Sequence, residues 1–334
     1  MNRIILSTTI ALAATTPFVM RGQDSTDNPN RFFFGPRFGL NIKADFRNNA
    51  SYFGPVNPGP ATGGANHTYN DGYVLLDSSG NAGGLTWNWG YQSSSQVVGD
   101  TMQFHSIQSS GSASATDDPQ YGGELVYQRV MGDLPCLSAG HWGFEFGFGI
   151  TDINLQANRT GTVPVITDTY SLNGVLPPSA GYNGSFNGPG ALLGDTPTRT
   201  LESAALTSNQ KLSGQVFSLR LGPFAEWNFT SELSLAASVG LTLAPAMIDY
   251  DYSEAGSLSG GGTYAASGHA SKTELLYGPY AGAMLRYDFT KSWGVYVGAQ
   301  FQNLNNMDIS SGTHAARLDQ SATVYGTVGL CWHF

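Results

Sequence analysis

A few residues in the sequence have types and spacings that enzymes use. His105 and Ser106, in "DTMQFHSI", are the residue types of the base and the nucleophile in a lipid-hydrolysing enzyme. Neighbouring positions in an extended segment point to opposite sides, which places this pair poorly for a hydrogen bond. Asp249, Asp251 and Glu254 are acids that a protease would combine with a histidine, but a solvated charged rim explains them more simply. The sequence therefore predicts no enzyme.

Metal and cofactor motifs are equally weak. "DSSGNAGGLTWN" (77–88) has part of the spacing of a calcium loop, beginning at Asp77. Such a loop needs glycine at its sixth position and a bidentate glutamate at its twelfth, where this sequence has Ala82 and Asn88. We interpret the segment as a tight turn and predict no cofactor.

The chain has two cysteines, Cys136 and Cys331. We take this number to exclude a disulfide scaffold and any cysteine zinc site, so we predict no metal. A single disulfide between the two remains open.

The most regularly placed chemical groups are charges that alternate with apolar residues. Eight of them share the face opposite the apolar side chains: Arg37, Lys43, Asp45, Glu145, Arg220, Glu226, Arg286 and Asp288. Buried charges of mixed sign must pair, because an unpaired buried charge is costly. Our hypothesis is a charged interior that acts as a plug or as a narrow, gated ion path, with Arg220, Arg286 and Glu145 central. The alternative is that the ion pairs only satisfy one another.

The elements that would position these charges are β-strands. Apolar residues alternate with period 2 in 31–46, 142–150, 215–229, 233–243, 277–289, 293–301 and 324–334, and 123–131 is a further strand of ambiguous parity. The apolar faces carry no charge through mid-strand, and the segments reach about the 9–11 residues of a tilted membrane-crossing strand. A soluble sandwich, the alternative, has strands of about 5–6 residues.

The connections between these strands alternate in length. The turns "TS" and "TKS" are short, whereas roughly 47–120, 158–210, 251–271 and 306–319 are predicted to be long loops. Short turns on one side and long loops on the other are typical of bacterial outer-membrane barrels.

A repeat marks the short turns. "GPFAEWNFTSEL" (222–233) resembles "GPYAGAMLRYDFTKSW" (278–293). Together with the last strand it places aromatic residues at the same rim: Trp227, Phe229, Tyr287, Phe289, Trp293, Trp332 and Phe334. Such rings settle at the level of lipid headgroups, so we predict an aromatic girdle there.

Composition and the first residues indicate the compartment. Charged residues are 12% of the chain, against about 25% in typical soluble domains. A net charge of −9 without a basic stripe argues against a nucleic-acid binder, so we predict no nucleic-acid partner. "MNRIILSTTIALAATTPFV" predicts a signal peptide in residues 1–22, an amphipathic helix being the alternative, and leaves 23–334 as one barrel domain.

The chain thus resembles the bacterial outer-membrane β-barrel proteins, most nearly the small eight-stranded outer-membrane protein A type without a periplasmic domain. The resemblance rests on the alternation of Val328, Leu330, Trp332 and Phe334, on the girdle and on the turn and loop asymmetry. It implies an all-β fold, a closed antiparallel transmembrane β-barrel in the outer membrane of a Gram-negative-type bacterium. Eight strands are expected, or ten if 85–91 and 100–107 also span.

The same resemblance implies partners and a range of functions. The barrel-assembly machinery would recognise the final strand, and outer-membrane lipid and lipopolysaccharide would surround the barrel. We expect a structural or surface-interaction protein with a side-chain-filled lumen and an extracellular ligand of unknown identity. The alternatives are a narrow porin and, second, a lipid-modifying enzyme.

Overall fold

The computed structural model describes residues 29–49, 56–107, 110–135, 139–258 and 263–334. Nearly all regular structure in them is β. The strands are β1 (Asn30–Leu40), β2 (Lys43–Asn49), β3 (His67–Tyr69), β4 (Gly72–Val74), β5 (Leu85–Thr86), β6 (Trp89–Tyr91), β7 (Val97–Val98), β8 (Thr101–Ile107), β9 (Ser110–Ala115), β10 (Gln120–Asp133), β11 (Gly140–Ser171), β12 (Leu193–Gly194), β13 (Thr198–Asn228), β14 (Leu233–Leu258), β15 (Thr263–Asp288), β16 (Trp293–Gln302), β17 (Met307–Ser311), β18 (His314–Asp319) and β19 (Thr323–His333). The helical segments are two 3₁₀ turns, Ala82–Gly84 and Ser94–Gln96. Within the described ranges, no helix is long and apolar enough to span a membrane.

Eight strands pair in an antiparallel ring. β1 pairs with β10 and β19, and the order around the ring is β1-β10-β11-β13-β14-β15-β16-β19. The segments 85–91 and 101–107, which would have made ten strands, lie outside the ring. β8 instead pairs with the far end of β11, at Val165–Ser171.

The sequence repeat forms two matching tight turns, at 229–232 and 289–292. In the first, Thr230 Oγ1 accepts the backbone N–H of Leu233 at 2.9 Å, and in the second Thr290 Oγ1 accepts that of Trp293 at 2.9 Å. The threonine hydroxyl thus closes both turns in the same way. We call this side of the ring the turn end.

The two faces of the long strands exchange character at one level of the ring. On β14, the outward residues Leu241 and Met247 are exposed and apolar, and the next outward residue is Asp249. Over the same stretch the inward residues change from polar Thr242 to apolar Ile248, both buried. The pairing of β14 with β15 continues through this level in constant register. The chain is therefore apolar outside near the turn end and apolar inside beyond it.

The exposed apolar residues form a continuous belt around the turn-end part of the ring. Its members include Phe34, Leu125, Phe144, Phe146, Phe148, Leu219, Leu221, Val239, Leu241, Leu243, Leu285, Val295, Val297, Phe301, Val328 and Leu330. From Leu233 to Met247, its last outward apolar residue on β14, a strand extends about 46 Å, or about 35 Å along the ring axis at a tilt of about 40°. On β11 and β13 the belt ends at Asp152 and Gln215, which are register partners.

Beyond the belt, β11, β13, β14 and β15 continue as one face of a sandwich. A second sheet, in the order β17-β18-β2-β9, supplies the other face. The apolar core between them includes Ile42, Phe46, Ile153, Leu155, Leu212, Ile248, Tyr250, Leu276, Met307 and Leu318. We call it the sandwich core.

Three predicted loops are therefore largely strand. Residues 158–210 and 251–271 contain the ends of β11 and β14 and the beginnings of β13 and β15, and residues 306–319 contain β17 and β18. The loop prediction was wrong because it relied on their Ser, Thr, Asn and Gly content. Small and polar residues suit strands that face water on one side.

The longest connections fold into a small unit at the tip. The strands β3, β4 and β6 form a three-stranded sheet, and β5 pairs with β12. A separate apolar cluster supports them: Tyr69, Val74, Trp89, Tyr91, Met102, Phe104, Tyr170, Leu172 and Leu193. The predicted outer loops are thus in part an ordered, cored structure.

Candidate functional site

Most of the predicted interior charges do lie inside the ring. Arg37, Glu145, Arg220, Glu226 and Arg286 are buried, and Asp288 is half-buried. They form three levels between the turn end and the sandwich core.

Lys43 and Asp45 were predicted wrongly. They belong to β2, outside the ring, where Lys43 is exposed and Asp45 accepts a hydrogen bond from Ser114 at 2.7 Å. Asn41, with a left-handed φ of 61°, ends β1 and redirects the chain. Ile42, which the alternation placed on the outward apolar face with Phe38 and Leu40, is consequently buried in the sandwich core.

The first level, at the turn end, is built around Glu226. Its carboxylate accepts hydrogen bonds from Arg31 Nη1 and from both terminal nitrogens of Arg286. Arg286 Nε also donates to Asp288 Oδ2 at 3.0 Å, and Asp288 Oδ1 lies 3.0 Å from His333 Nε2. Two guanidinium groups and two carboxylates therefore neutralise each other at this level.

The second level is built around Arg220. Its Nη1 donates to Glu124 Oε2 at 3.0 Å, and its Nε lies 3.7 Å from Glu145 Oε1. Glu145 also accepts hydrogen bonds from Gln128 Nε2 and from the Tyr280 hydroxyl, both at 2.9 Å. The small cavity beside Arg220 has a volume of about 20 Å³, enough for about one water.

Arg37 occupies the third level. Its Nη1 donates to Ser218 Oγ at 2.6 Å, and its guanidinium carbon lies 3.4 Å from the centroid of the Tyr325 ring. Nε and Nη2 of Arg37 have no protein partner among the described residues, and neither do Thr151 Oγ1 and Thr242 Oγ1. The next inward residues on those strands belong to the sandwich core, so a polar layer lies directly beneath an apolar one.

Sequence reasoning missed Arg31 and Glu124. Arg31 has the parity of Arg37 and was detectable from the pattern. Glu124 was not, because β10 carries apolar residues on both faces, with Val126 facing inward and Leu125 outward, so that its parity was ambiguous. With both included, Arg220 and Arg37 balance Glu124 and Glu145, just as Arg31 and Arg286 balance Glu226 and Asp288.

The predicted aromatic girdle lies on the outside of the turn end. Phe229, Tyr287, Phe289, Trp293 and Trp332 are exposed, and Trp227 is half-buried. The rings of Trp293 and Trp332 stack at 6.3 Å between centroids.

The residues of the predicted assembly signal form one outward row on β19. Val328, Leu330, Trp332 and Phe334 are all exposed. The Phe334 backbone N–H donates to Asn30 O at 3.1 Å, which joins the two ends of the described chain. Cys331 and His333, between them, face inward and are buried.

The first enzyme candidate does not assemble. His105 Nδ1 lies 2.6 Å from Asp71 Oδ2, while Ser106 is buried on the opposite side of β8. Glu254 is buried and accepts a hydrogen bond from Ser208, whereas Asp249 and Asp251 face outward. The acids of the second set are thus on two faces of one strand.

The outer face of β14 and β15 does carry a chain of polar side chains that the sequence did not reveal. Asp251 Oδ1 lies 2.8 Å from His269 Nδ1, and His269 Nε2 lies 3.0 Å from Ser271 Oγ. Ser271 donates its hydroxyl hydrogen to Asp249 at 2.5 Å. His269 therefore cannot accept that proton, as the general base of a serine nucleophile would have to. The backbone amides around it belong to the strand ladder.

Asp77 closes the turn that has calcium-loop spacing. Its Oδ1 accepts hydrogen bonds from the Ser79 hydroxyl and from the backbone N–H groups of Ser79 and Asn81. Burial alone raises the pKa of Asp77, but these hydrogen bonds outweigh it and hold the pKa below its ordinary value. The interpretation as a tight turn is confirmed.

Two predictions fall outside the described residues. The signal peptide, 1–22, lies before residue 29, and Cys136 lies in the gap at 136–138. Cys331 is a free, buried cysteine, and Cys136, with which the sequence left a disulfide open, is outside the described residues.

No protein-family model matches the chain, and no curated protein matches its sequence. Among solved structures, Ail, the attachment invasion locus protein of Yersinia pestis, solved with the heparin analogue sucrose octasulfate, is 9% identical, with 91% of this chain and 99% of that chain covered and a TM-score of 0.23. A FadL homologue of Pseudomonas aeruginosa is 11% identical, with 93% of each chain covered and a TM-score of 0.19. The toluene transporter TodX of P. putida is 10% identical, with 92% and 90% covered and a TM-score of 0.18. Similarity at this level carries no inference about function.

The chain's own geometry is more informative. An antiparallel ring of eight strands, polar inside and encircled by an exposed apolar belt, is the architecture of the outer-membrane β-barrel proteins. The resemblance predicted from the sequence is confirmed in this respect.

Proposed function

We propose that the protein is exported by its signal peptide and closes in the outer membrane as a barrel with a blocked lumen, serving as a structural or surface-interaction protein. The observation that carries this proposal is the filling of the interior at successive levels. The Glu226 level, the Arg220 level and the Arg37 level are followed by the sandwich core. An eight-stranded barrel is wide enough only for its own side chains, which fits a blocked path.

The membrane position is supported by the inversion of the strand faces. A belt about 35 Å high on β14 is tall enough to cover the apolar band of outer-membrane barrels, which is about 25 Å tall. Beyond Asp152 and Asp249 the outward face is polar and the apolar residues are inside, as expected for a wall in water. Lipopolysaccharide would surround the belt, and the barrel-assembly machinery would recognise the outward row that ends at Phe334.

A surface-interaction role is supported by the extent of structure beyond the belt. β11 alone continues about 65 Å past Asp152, from the usual rise per residue of a strand. The tip also exposes large apolar side chains, among them Leu176 at 90% and Phe186 at 56%. Apolar groups on an ordered scaffold are common in binding surfaces.

The alternative is a narrow porin, which the unpartnered polar atoms favour. Thr151, Thr242, Gln302 and Thr323 have buried oxygen or nitrogen atoms without a protein partner in the described chain. Such groups normally bind water, so a hydrated path through part of the interior is consistent with them.

Single-channel conductance of the folded protein in a planar bilayer separates the two functions. We expect no steady openings from the wild-type protein. Arg220→Ala removes the centre of the second level, and Arg317→Ala, whose side chain lies outside the ring beside Asp308, is the matched control. If the wild-type protein shows steady openings whose conductance changes in Arg220→Ala but not in Arg317→Ala, the proposal of a blocked barrel is wrong and the narrow porin takes its place.

We infer that the protein is not an enzyme, and Ser271 gives the sharpest test. Among the described residues, Ser271 is the hydroxyl nearest to a histidine nitrogen, at 3.0 Å, but it lies on an exposed outer face. We expect no hydrolysis of a nitrophenyl ester or of phospholipid above the rate of Ser271→Ala. Hydrolysis that disappears in Ser271→Ala, or in a His105→Ala and Ser106→Ala double variant, would make it an enzyme.

A further inference from the structure

Three potential metal ligands converge at the turn end of the ring. Cys331 Sγ lies 3.3 Å from His333 Nε2, and His333 Nε2 lies 3.0 Å from Asp288 Oδ1. All three ligand atoms are within 4.8 Å of one another. A thiolate, an imidazole nitrogen and a carboxylate oxygen are the donors that Zn²⁺ takes in proteins.

The backbone places these atoms on three neighbouring strands. Cys331 and His333 are two residues apart on β19 and therefore share its inward face. Asp288 ends β15, and β16 runs between the two strands.

Gly294 on β16 creates the space for the cluster. It is the register partner of both Asp288 and Cys331. A Cβ atom at position 294 would collide with Asp288 Oδ1. Only glycine at this position allows the aspartate to lean across β16 toward the cysteine and the histidine.

The surrounding groups orient the aspartate and leave access from one side. Arg286 Nε holds Asp288 Oδ2 at 3.0 Å, so that Oδ1 is the oxygen directed to the cluster. Outer contacts of this kind fix metal-ligating carboxylates. Cys331 is fully buried, whereas the side chain of Asp288 is 18% exposed.

We propose that Asp288, Cys331 and His333 bind a borderline-soft divalent cation of the Zn²⁺ type, with water as the fourth ligand. Binding replaces the thiol proton by the metal: the S–H bond breaks, a sulfur–metal bond forms, and the proton leaves to solvent. The first-level ion pairs are balanced, so the bound cation and the thiolate add one net positive charge near the solvent-accessible rim. The proposal concerns the interior of the turn end and does not depend on whether the lumen conducts.

Cobalt binding tests the proposal directly. The full-length, folded protein carries Cys136→Ser, which removes the other thiol, and is titrated with Co²⁺. We expect an ultraviolet sulfur-to-cobalt charge-transfer band at one cobalt per chain, and its loss on addition of Zn²⁺. The band should be absent when Cys331→Ser is added. Asp288→Asn should weaken binding by about a hundredfold or more, since even outer contacts are worth 10–100-fold.

Two further variants keep the result interpretable. Asp133→Asn alters an exposed carboxylate that pairs with His141 at the same end and should leave the band unchanged. Gly294→Val should reduce cobalt affinity by displacing Asp288 while all three ligands remain. No band in the folded Cys136→Ser protein, or a band that survives Cys331→Ser, would overturn the site. Should Cys331→Ser not fold, unaltered affinity in both Asp288→Asn and Gly294→Val would do the same.

Discussion

Arg286 donates two hydrogen bonds to the Glu226 carboxylate, from Nη1 to Oε2 at 3.0 Å and from Nη2 to Oε1 at 3.2 Å. Both side chains are buried, and Arg31 donates to the same carboxylate. Glu226 is therefore the shared counter-ion of two guanidinium groups inside the ring.

Glu226→Gln is expected to destabilise the folded protein by about 3–5 kcal/mol, because it leaves two buried cations without their common partner. Urea unfolding of the protein in lipid vesicles measures the change. Asp308→Asn is the control, since it removes an exposed partner of Arg317 and should cost no more than about 1 kcal/mol. Equal losses in the two variants would mean that the first level contributes little to stability.

Because the belt ends between Met247 and Asp249, the cost of introducing an arginine on the outward face of β14 should depend strongly on its position. Leu241→Arg places a charge in the middle of the belt and should cost about 2–4 kcal/mol in a bilayer. Asp249→Arg, four outward positions further along the same face, should cost nothing comparable because it lies beyond the belt. Folding yield into vesicles, followed by the heat-dependent shift in gel mobility, compares the two. A similar yield for both variants would contradict a belt that faces lipid.

The outer boundary of the belt was present in the sequence as a change of parity. On β14 the outward apolar residues are odd-numbered and end at Met247, whereas the inward residues from Ala244 to Tyr252, which are even-numbered, are all apolar. Period 2 was recognised, but the exchange of faces was not, so the stretch beyond it was interpreted as loop. The two faces had to exchange because the strand leaves one solvent and enters another.

Other parts of the site could not be predicted from the alternation of residues along single strands. The proximity of Cys331 to Asp288 depends on the pairing of β16 with both neighbours, and parity within a single strand contains no such information. The departure of Lys43 and Asp45 from the ring depends on one left-handed residue, Asn41, within an otherwise regular alternation. The five predicted charges that are deeply buried could be found because each keeps the inward parity of a strand whose outward residues are apolar.

Thr290 is expected to contribute more to the stability of the folded protein than its exposed position suggests. Its hydroxyl accepts backbone N–H groups of Ser292 and Trp293 in the turn, so Thr290→Ala should cost about 1–2 kcal/mol at about 1 kcal/mol per hydrogen bond. Thr290→Ser keeps the acceptor and is the control. Thr230→Ala should behave alike, because the other turn has the same geometry. Urea unfolding in vesicles would measure all three, and a loss in Thr290→Ser equal to that in Thr290→Ala would remove the hydroxyl from the explanation.

The tip should loosen in acid, and Asp77 should be a cause. Its pKa is held below the ordinary value because hydrogen bonds to its ionised form outweigh the effect of burial. A group with a lowered folded pKa contributes stability above its unfolded pKa, and the contribution is lost as pH falls through the folded value. Asp77 Oδ2 also accepts a hydrogen bond from the Trp87 backbone N–H at 3.4 Å. Acid should therefore weaken this turn, and tryptophan fluorescence during acid titration would report the change. Asp77→Asn should lower the stability of the tip at neutral pH and make that stability less dependent on pH in acid. Ser79→Ala removes one hydrogen-bond donor to the carboxylate, at 2.6 Å, and should have a smaller effect in the same direction. An acid transition that is as steep in Asp77→Asn as in the wild type would assign the effect to another group.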